Sequence, residues 1–172
     1  MRHIQALLNR LAGAHGLRGE RWLRHANPWS GWLRAVTGVP LFVAAIWSRQ
    51  WLGSWFLLLL VIVCAWLLMN PHLFRPIRRA YNWMSQGVLG ERVVVEGHTY
   101  PAHHRPVLRV LFALLLVSVG VMAIGLLMLD GFGTLLGASA AMILKCWFVD
   151  RCVWIYREVY PTNKEVQSWT ES

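Results

Sequence analysis

Histidine and carboxylate side chains are the residues of this chain that could perform acid–base or metal chemistry. The histidines concerned are His25, His72, His98, His103 and His104, and the carboxylates are Glu91, Glu96 and Asp150. Imidazoles and carboxylates together ligate zinc or iron, and they also act as general acids and bases. The weak catalytic candidates are His25, Glu91, His103 and Asp150, and the weak metal candidates are His98, His103 and His104.

The spacing of these histidines argues against a metal site. The chain has no HExxH motif, and it completes none of the HxxxH and HxxHH boxes of membrane desaturases and hydroxylases. His98 lies five and six residues before His103 and His104, across a proline. We therefore expect no tightly bound transition metal and no cofactor.

Arginine is the second residue type whose chemistry stands out, because 17 Lys and Arg face 8 Asp and Glu and the net charge is +9. Arginine binds phosphate bidentately, and basic clusters beside a membrane attract anionic head groups. The predicted lipid- or partner-binding residues are Arg75, Arg78, Arg79, Arg92, Asp150 and Arg151. We expect an anionic phospholipid as ligand, and a homo-oligomer or a partner membrane protein. Nucleic acid is not expected, since cytoplasmic segments of membrane proteins collect arginine in any case.

Membrane helices must position these residues, because 56% of the 172 residues are hydrophobic and long runs carry no charge. A spanning helix needs roughly 20 apolar residues. Four segments approach that length, at about 32–47, 51–69, 107–129 and 131–149. The links within the first and second pairs are so short that each pair must form an antiparallel hairpin. The predicted fold is an all-α membrane protein with four transmembrane helices in two hairpins.

The distribution of basic residues predicts the orientation. The arm before residue 30, the segment 70–106 and the C-terminal tail hold most of the cations. Because positive residues collect on the cytoplasmic side, both termini and the segment 70–106 are predicted to be cytoplasmic, in the inner membrane. The predicted organisation is a basic arm (1–30), one membrane domain (31–160) and a polar tail (161–172).

The polar segments carry weaker patterns. The N-terminal arm is predicted to form an amphipathic helix with Ile4, Leu7, Leu8 and Leu11 on its apolar face. In the segment 70–106, Pro76 is expected to begin a short amphipathic helix that Gly87 and Gly90 end. A possible β-hairpin follows, turning at Glu96-Gly97.

The fourth apolar segment carries small residues at a helical spacing. Gly133, Gly137 and Ala141 recur every four residues. In lipid, small residues let helix backbones approach closely. This face is therefore predicted to pack against the third segment, near Ser118 and Gly125.

Two charged groups near the end of the fourth segment have alternative interpretations. Lys145 either snorkels past Trp147 to the inner surface, which we favour, or pairs with a carboxylate such as Glu91. Asp150 either belongs to an ordinary juxtamembrane helix or anchors an arginine such as Arg92.

Four short motifs carry a resemblance to known proteins: HANPWSGW, NPHLF, VLGERV and WFVDRCVW. Together they resemble a family of small bacterial and archaeal four-span membrane proteins catalogued as a domain of unknown function. The resemblance covers roughly Arg24 to Tyr156 and leaves the arm before Trp22 outside. It implies the same four-span topology and supplies no activity.

Three functions are compatible with these features. We favour a non-enzymatic oligomeric or accessory module that binds lipid or a partner protein at its basic cytoplasmic face. The first alternative is a membrane enzyme acting on a lipid or quinone, with a histidine and carboxylate site at the cytoplasmic interface. The second is a small transporter or channel, which the scarcity of polar residues in the apolar segments disfavours.

Overall fold

The computed structural model describes residues 19–170, and every regular element in that range is helical. The α-helices are α1 (Glu20–His25), α2 (Pro28–Trp47), α3 (Arg49–Leu52), α4 (Phe56–Met69), α5 (Trp83–Glu96), α6 (His104–Met128), α7 (Gly131–Val159) and α8 (Lys164–Ser168). Short 3-10 turns cover Gly53–Trp55 and Asn70–Leu73. The amphipathic helix predicted near the N-terminus lies outside the described residues.

Within residues 19–170, three helical stretches are long and apolar enough to cross a membrane: Pro28–Leu73, His104–Met128 and Gly131–Val159. Four separate spans are not supported, because the first two predicted segments both fall within Pro28–Leu73. The local reason is that the link after α2 continues as the helical turns of α3, so no polar loop separates the two segments.

The stretch Pro28–Leu73 folds back on itself near Gly53, whose φ is 52°. The Trp66 indole nitrogen donates to the Thr37 hydroxyl at 3.5 Å, although the two residues are 29 positions apart. In one straight helix they would be separated by about 43 Å. α2 and α4 therefore pack side by side. Outward-facing residues of α4 such as Leu58 and Ile62 are more than half exposed, as contact with lipid requires.

Residues 83–96 form one helix, α5, so the predicted short helix from Pro76 and the predicted β-hairpin are wrong. The Asn82 side chain accepts a hydrogen bond from the Ser85 backbone N–H at 2.8 Å and begins the helix. Gly97, with φ 83°, ends it in the left-handed conformation that glycine tolerates best.

Gly87 and Gly90 lie inside α5 because that helix crosses α7 very closely. A Cβ atom on Gly87 would overlap the Val149 side chain, and a Cβ atom on Gly90 would overlap the Cys152 carbonyl group. The glycines are thus contact positions and do not end the helix. The buried Val93 lies in the core formed by this crossing.

The main hydrophobic core lies at one end of the molecule. α1, α5, the start of α6 and the second half of α7 meet there around Trp22, Leu89 and Ile155, which are almost completely buried. At the other end a smaller cluster joins α6 to α7 around Met122 and Ala138. Packing is therefore concentrated at the end of the molecule that carries α5.

The small-residue face of α7 packs against α6, as predicted. A Cβ atom on Gly137 would overlap the Met122 backbone nitrogen and would lie 2.8 Å from the Ser118 carbonyl oxygen. Gly125 of α6 lies equally close to the Gly133 and Thr134 backbone. The two helices therefore approach each other through backbone contacts.

Candidate functional site

A cavity of about 480 Å³ lies between α2, α5, α6 and α7, and we call it the Arg34–Lys145 cavity. Most of its wall is apolar, including Val39, Phe42, Leu115, Val119 and Met122. Its volume falls within the range of about 300–1,000 Å³ that is typical of small-molecule sites. The polar lining residues determine which charged or polar groups such a ligand would need.

Arg34, Glu91 and Lys145 supply the charged part of this wall. Lys145 Nζ lies 2.8 Å from Glu91 Oε1. The pairing alternative for Lys145 is therefore correct, and its extension past Trp147 is wrong. The sequence could not decide between the two because the partner carboxylate lies 54 positions away, on a helix that was not predicted in that form.

Polar groups at the end of α1 and the start of α2 hold Arg34 in place. Its guanidinium donates to the Ser30 hydroxyl at 2.6 Å and to the His25 carbonyl oxygen at 3.0 Å. The Ser30 hydroxyl in turn donates to the Asn70 side-chain oxygen at 2.7 Å, and both of these residues are fully buried. Among residues 19–170 no carboxylate forms a salt bridge with Arg34.

The cavity consequently has an excess of positive charge. Arg34 and Lys145 are cations and Glu91 is one carboxylate, which leaves one positive charge without counting His25, another lining residue. Lys145 keeps 47% of its side-chain surface accessible despite the ion pair. A ligand with an anionic head and an apolar chain would match both parts of this wall.

Arg78 and Arg79, two of the predicted binding residues, line a second pocket of about 710 Å³. Arg157 joins them there, donating to the Gln86 side-chain oxygen at 2.8 Å. The Tyr81 hydroxyl beside Arg79 raises the pKa of that guanidinium by accepting its hydrogen bond. Sequence analysis missed Arg157, because α5 and the end of α7 meet only in the folded chain.

The other predicted binding residues are not gathered in this pocket. Arg92 pairs with Glu96 at 2.9 Å and lies 3.8 Å above the Trp169 ring. Asp150 accepts a hydrogen bond from the Trp83 indole nitrogen at 2.8 Å, so the hypothesis that it anchors Arg92 is wrong. Arg75 accepts a hydrogen bond from Asn27 through its backbone oxygen. Arg151 is half-buried on α7.

The candidate catalytic and metal residues fall into separate groups. His25 and Glu91 line the Arg34–Lys145 cavity. His98 lies between two carboxylates, 3.5 Å from Glu96 and 3.7 Å from Glu165. His103 and His104 lie beside a carboxylate that sequence analysis did not single out, Glu158. Exposed His72 lines a small pocket beside α1.

The fold and the cavity together define the class: a helical protein, within residues 19–170, with three stretches able to cross a membrane and one amphiphilic cavity. The chain belongs to a family of unknown function, DUF6653, whose model matches residues 6–172. This match confirms the predicted domain of unknown function. It begins at residue 6, so the N-terminal arm belongs to the family, contrary to expectation. Comparisons with curated proteins and with solved structures found no match.

Proposed function

We propose that the protein is a non-enzymatic integral membrane protein that binds one anionic phospholipid in the Arg34–Lys145 cavity. In this proposal an acyl chain occupies the apolar wall formed by α2, α6 and α7, and the phosphate lies between the two cations. The observation that carries the proposal is the division of one cavity into a long apolar wall and a cationic group.

The unbalanced charge is the strongest support. Charged groups near hydrocarbon are costly unless they are paired. Glu91 neutralises one of the two cations, and a phosphate oxyanion would neutralise the other. Arg34 is suited to that role because its planar guanidinium binds phosphate bidentately, and its hydrogen bonds already hold it in place.

The apolar wall supports a chain ligand but does not provide selectivity. Inside a membrane an acyl chain gains little from leaving other acyl chains, since both environments are apolar. Discrimination between lipids would therefore come from the head group. We expect preference for a net anionic head group over a zwitterionic one with the same chains.

The number of membrane crossings and the side on which the termini lie are part of the same proposal. We propose that the folded-back stretch Pro28–Leu73 crosses the inner membrane twice, with both termini cytoplasmic. The arginine distribution supports this orientation, because it places the charged residues of the cavity towards the leaflet where anionic lipids attract basic residues.

Native mass spectrometry tests the lipid proposal directly. The detergent-purified protein is titrated with phosphatidylglycerol or with phosphatidylcholine of the same acyl chains. We expect phosphatidylglycerol to bind at least about fivefold more tightly, which corresponds to roughly 1 kcal/mol. Arg34→Gln should abolish most of that preference, and Lys145→Gln should reduce it.

Two matched controls separate this site from general membrane electrostatics and packing. Arg109→Gln removes the same charge from an exposed arginine that does not line the cavity, and it should keep the preference. Val119→Trp fills the apolar wall and should weaken the binding of both lipids. Val117→Trp adds the same bulk to the same helix outside the cavity lining and should leave their binding unchanged. Equal binding of both lipids by the wild-type chain would overturn the proposal.

Glu91→Gln gives an effect of opposite sign. The Glu91 carboxylate competes with a phosphate for Lys145, so removing its charge should raise the affinity for phosphatidylglycerol several-fold. The same titration measures this change, with phosphatidylcholine as the reference ligand. A loss of affinity as large as that of Arg34→Gln would mean that Glu91 itself is needed to bind the lipid.

A further inference from the structure

His103, His104 and Glu158 form a second cluster, where the start of α6 meets the end of α7. His104 Nε2 lies 3.2 Å from Glu158 Oε1, and His103 Nε2 lies 3.7 Å from the same oxygen. One potential ligand atom from each of the three residues lies within 4.8 Å of the others. None of the three lines the Arg34–Lys145 cavity.

We propose that this cluster binds one divalent transition-metal ion of the zinc class. Two imidazole nitrogens and one carboxylate oxygen are a donor set that zinc accepts, with a fourth position left open. Tetrahedral zinc with bonds of about 2.0–2.1 Å holds its donor atoms about 3.3 Å apart. The separations to Glu158 Oε1, 3.2 Å from His104 and 3.7 Å from His103, lie within about 0.4 Å of that value.

The burial of the three residues suits a preformed site with an entrance. His104 is 1% exposed, whereas the His103 and Glu158 side chains are 63% and 37% exposed. The core therefore fixes one ligand, and the other two remain reachable from outside. The rings of His103 and His104 lie with their centroids 4.1 Å apart, so the exposed ring is directly beside the buried one.

The two ring nitrogens of His104 have different surroundings. Its Nδ1 atom is buried and has no hydrogen-bond partner in the part of the chain that the structure describes. A ligating histidine normally donates its second ring nitrogen to an oxygen atom, and no described residue supplies one here, which disfavours a metal ion. The Nε2 atom lies 3.2 Å from Glu158 Oε1 and is therefore the nitrogen that can ligate an ion in the cluster.

Two further features oppose a cation at this position. The Arg151 guanidinium acts electrostatically on His104, and the N-terminus of α6 carries a partial positive charge. Ions held mainly by charge would be disfavoured, and Ca²⁺ and Mg²⁺ prefer oxygen ligands in any case. A transition-metal ion forms directed bonds to imidazole. The positive charge of Arg151 and of the helix terminus weakens these bonds but does not remove them.

The proposal revises the expectation of no tightly bound metal. That expectation rested on histidine spacing, and spacing alone cannot place Glu158, which lies 54 positions after His104. Only the packing of α7 against the start of α6 brings the carboxylate to the two imidazoles.

Zinc titration of the full-length protein, purified in detergent without a polyhistidine tag, tests the site. We expect one Zn²⁺ per chain by calorimetry, and a visible ligand-field spectrum when Co²⁺ replaces it. His103→Ala and Glu158→Gln should each weaken Zn²⁺ binding at least tenfold and remove the Co²⁺ spectrum. Both side chains are accessible, so these variants should fold even where His104→Ala does not.

His72→Ala is the matched control, since it removes an exposed histidine outside the cluster and should leave Zn²⁺ binding unchanged. Excess Mg²⁺ should not displace the zinc. The proposal is overturned if the wild-type chain binds no stoichiometric Zn²⁺, or if both cluster variants bind it as tightly as the His72 control. Displacement by Mg²⁺ would also overturn the zinc-class assignment.

Discussion

Gly90→Ala is expected to lower the free energy of unfolding by about 3 kcal/mol or more, which is a severe effect for one methyl group. The added Cβ would overlap the Cys152 carbonyl group, which is backbone and cannot move aside as a flexible side chain would. α5 would have to move away from α7, and the core around Leu89 would open. Thermal unfolding in detergent, followed by circular dichroism, measures the loss.

Gly120→Ala is the matched control for this prediction. Gly120 also lies inside a long helix, but a Cβ atom there would meet nothing within 4 Å. Alanine favours a helix over glycine by up to about 1 kcal/mol, so this variant should be as stable as the wild-type chain or slightly more stable. If Gly90→Ala melted at the same temperature as Gly120→Ala, the close crossing of α5 and α7 would be refuted.

Gly137→Leu should separate α6 from α7 over their small-residue contact. The leucine side chain would overlap the Met122 backbone, and overpacking of this kind costs about 1–3 kcal/mol or more. Close backbone approach is what holds membrane helices together, so the loss should appear as a lower melting temperature or a changed oligomer size. Thermal melting and light scattering after gel filtration report the two outcomes.

Leu127→Ile tests whether the effect belongs to that contact. Leu127 is 68% exposed on α6, and the substitution keeps the side-chain volume. We expect no change in melting temperature or oligomer size. Identical behaviour of Gly137→Leu and Leu127→Ile would place the Gly137 face against lipid.

The segment 83–101 shows where sequence patterns fail. Three successive valines favour a strand by propensity, and two nearby glycines are typical of helix ends. In the structure the valines belong to α5, and Val93 is completely buried. Gly87 and Gly90 let α5 approach α7 so closely that the gain in packing outweighs their poor helix propensity.

The residues of the Arg34–Lys145 cavity were only partly predictable from the sequence. His25, Glu91 and Lys145 were singled out from their residue types, and all three line the cavity. Arg34 was missed because one arginine near the start of an apolar run has the pattern of an ordinary interfacial cation. Its hydrogen bond to Ser30 lies within α2, but its hydrogen bond to the His25 backbone forms only when α1 folds against α2.

The sequence by itself determined the properties that depend on neighbours along the chain. These are the apolar stretches, the small-residue face of α7 and the concentration of arginine between the stretches, because hydrophobicity and helical spacing act over a few turns. The tertiary structure decided which distant groups meet. The Lys145–Glu91 pair and the His104–Glu158 contact each join residues 54 positions apart. Such contacts depend on how closely α5 and the start of α6 approach α7. Gly87 and Gly90 allow the approach of α5, but in the sequence the same two glycines equally predict the end of a helix.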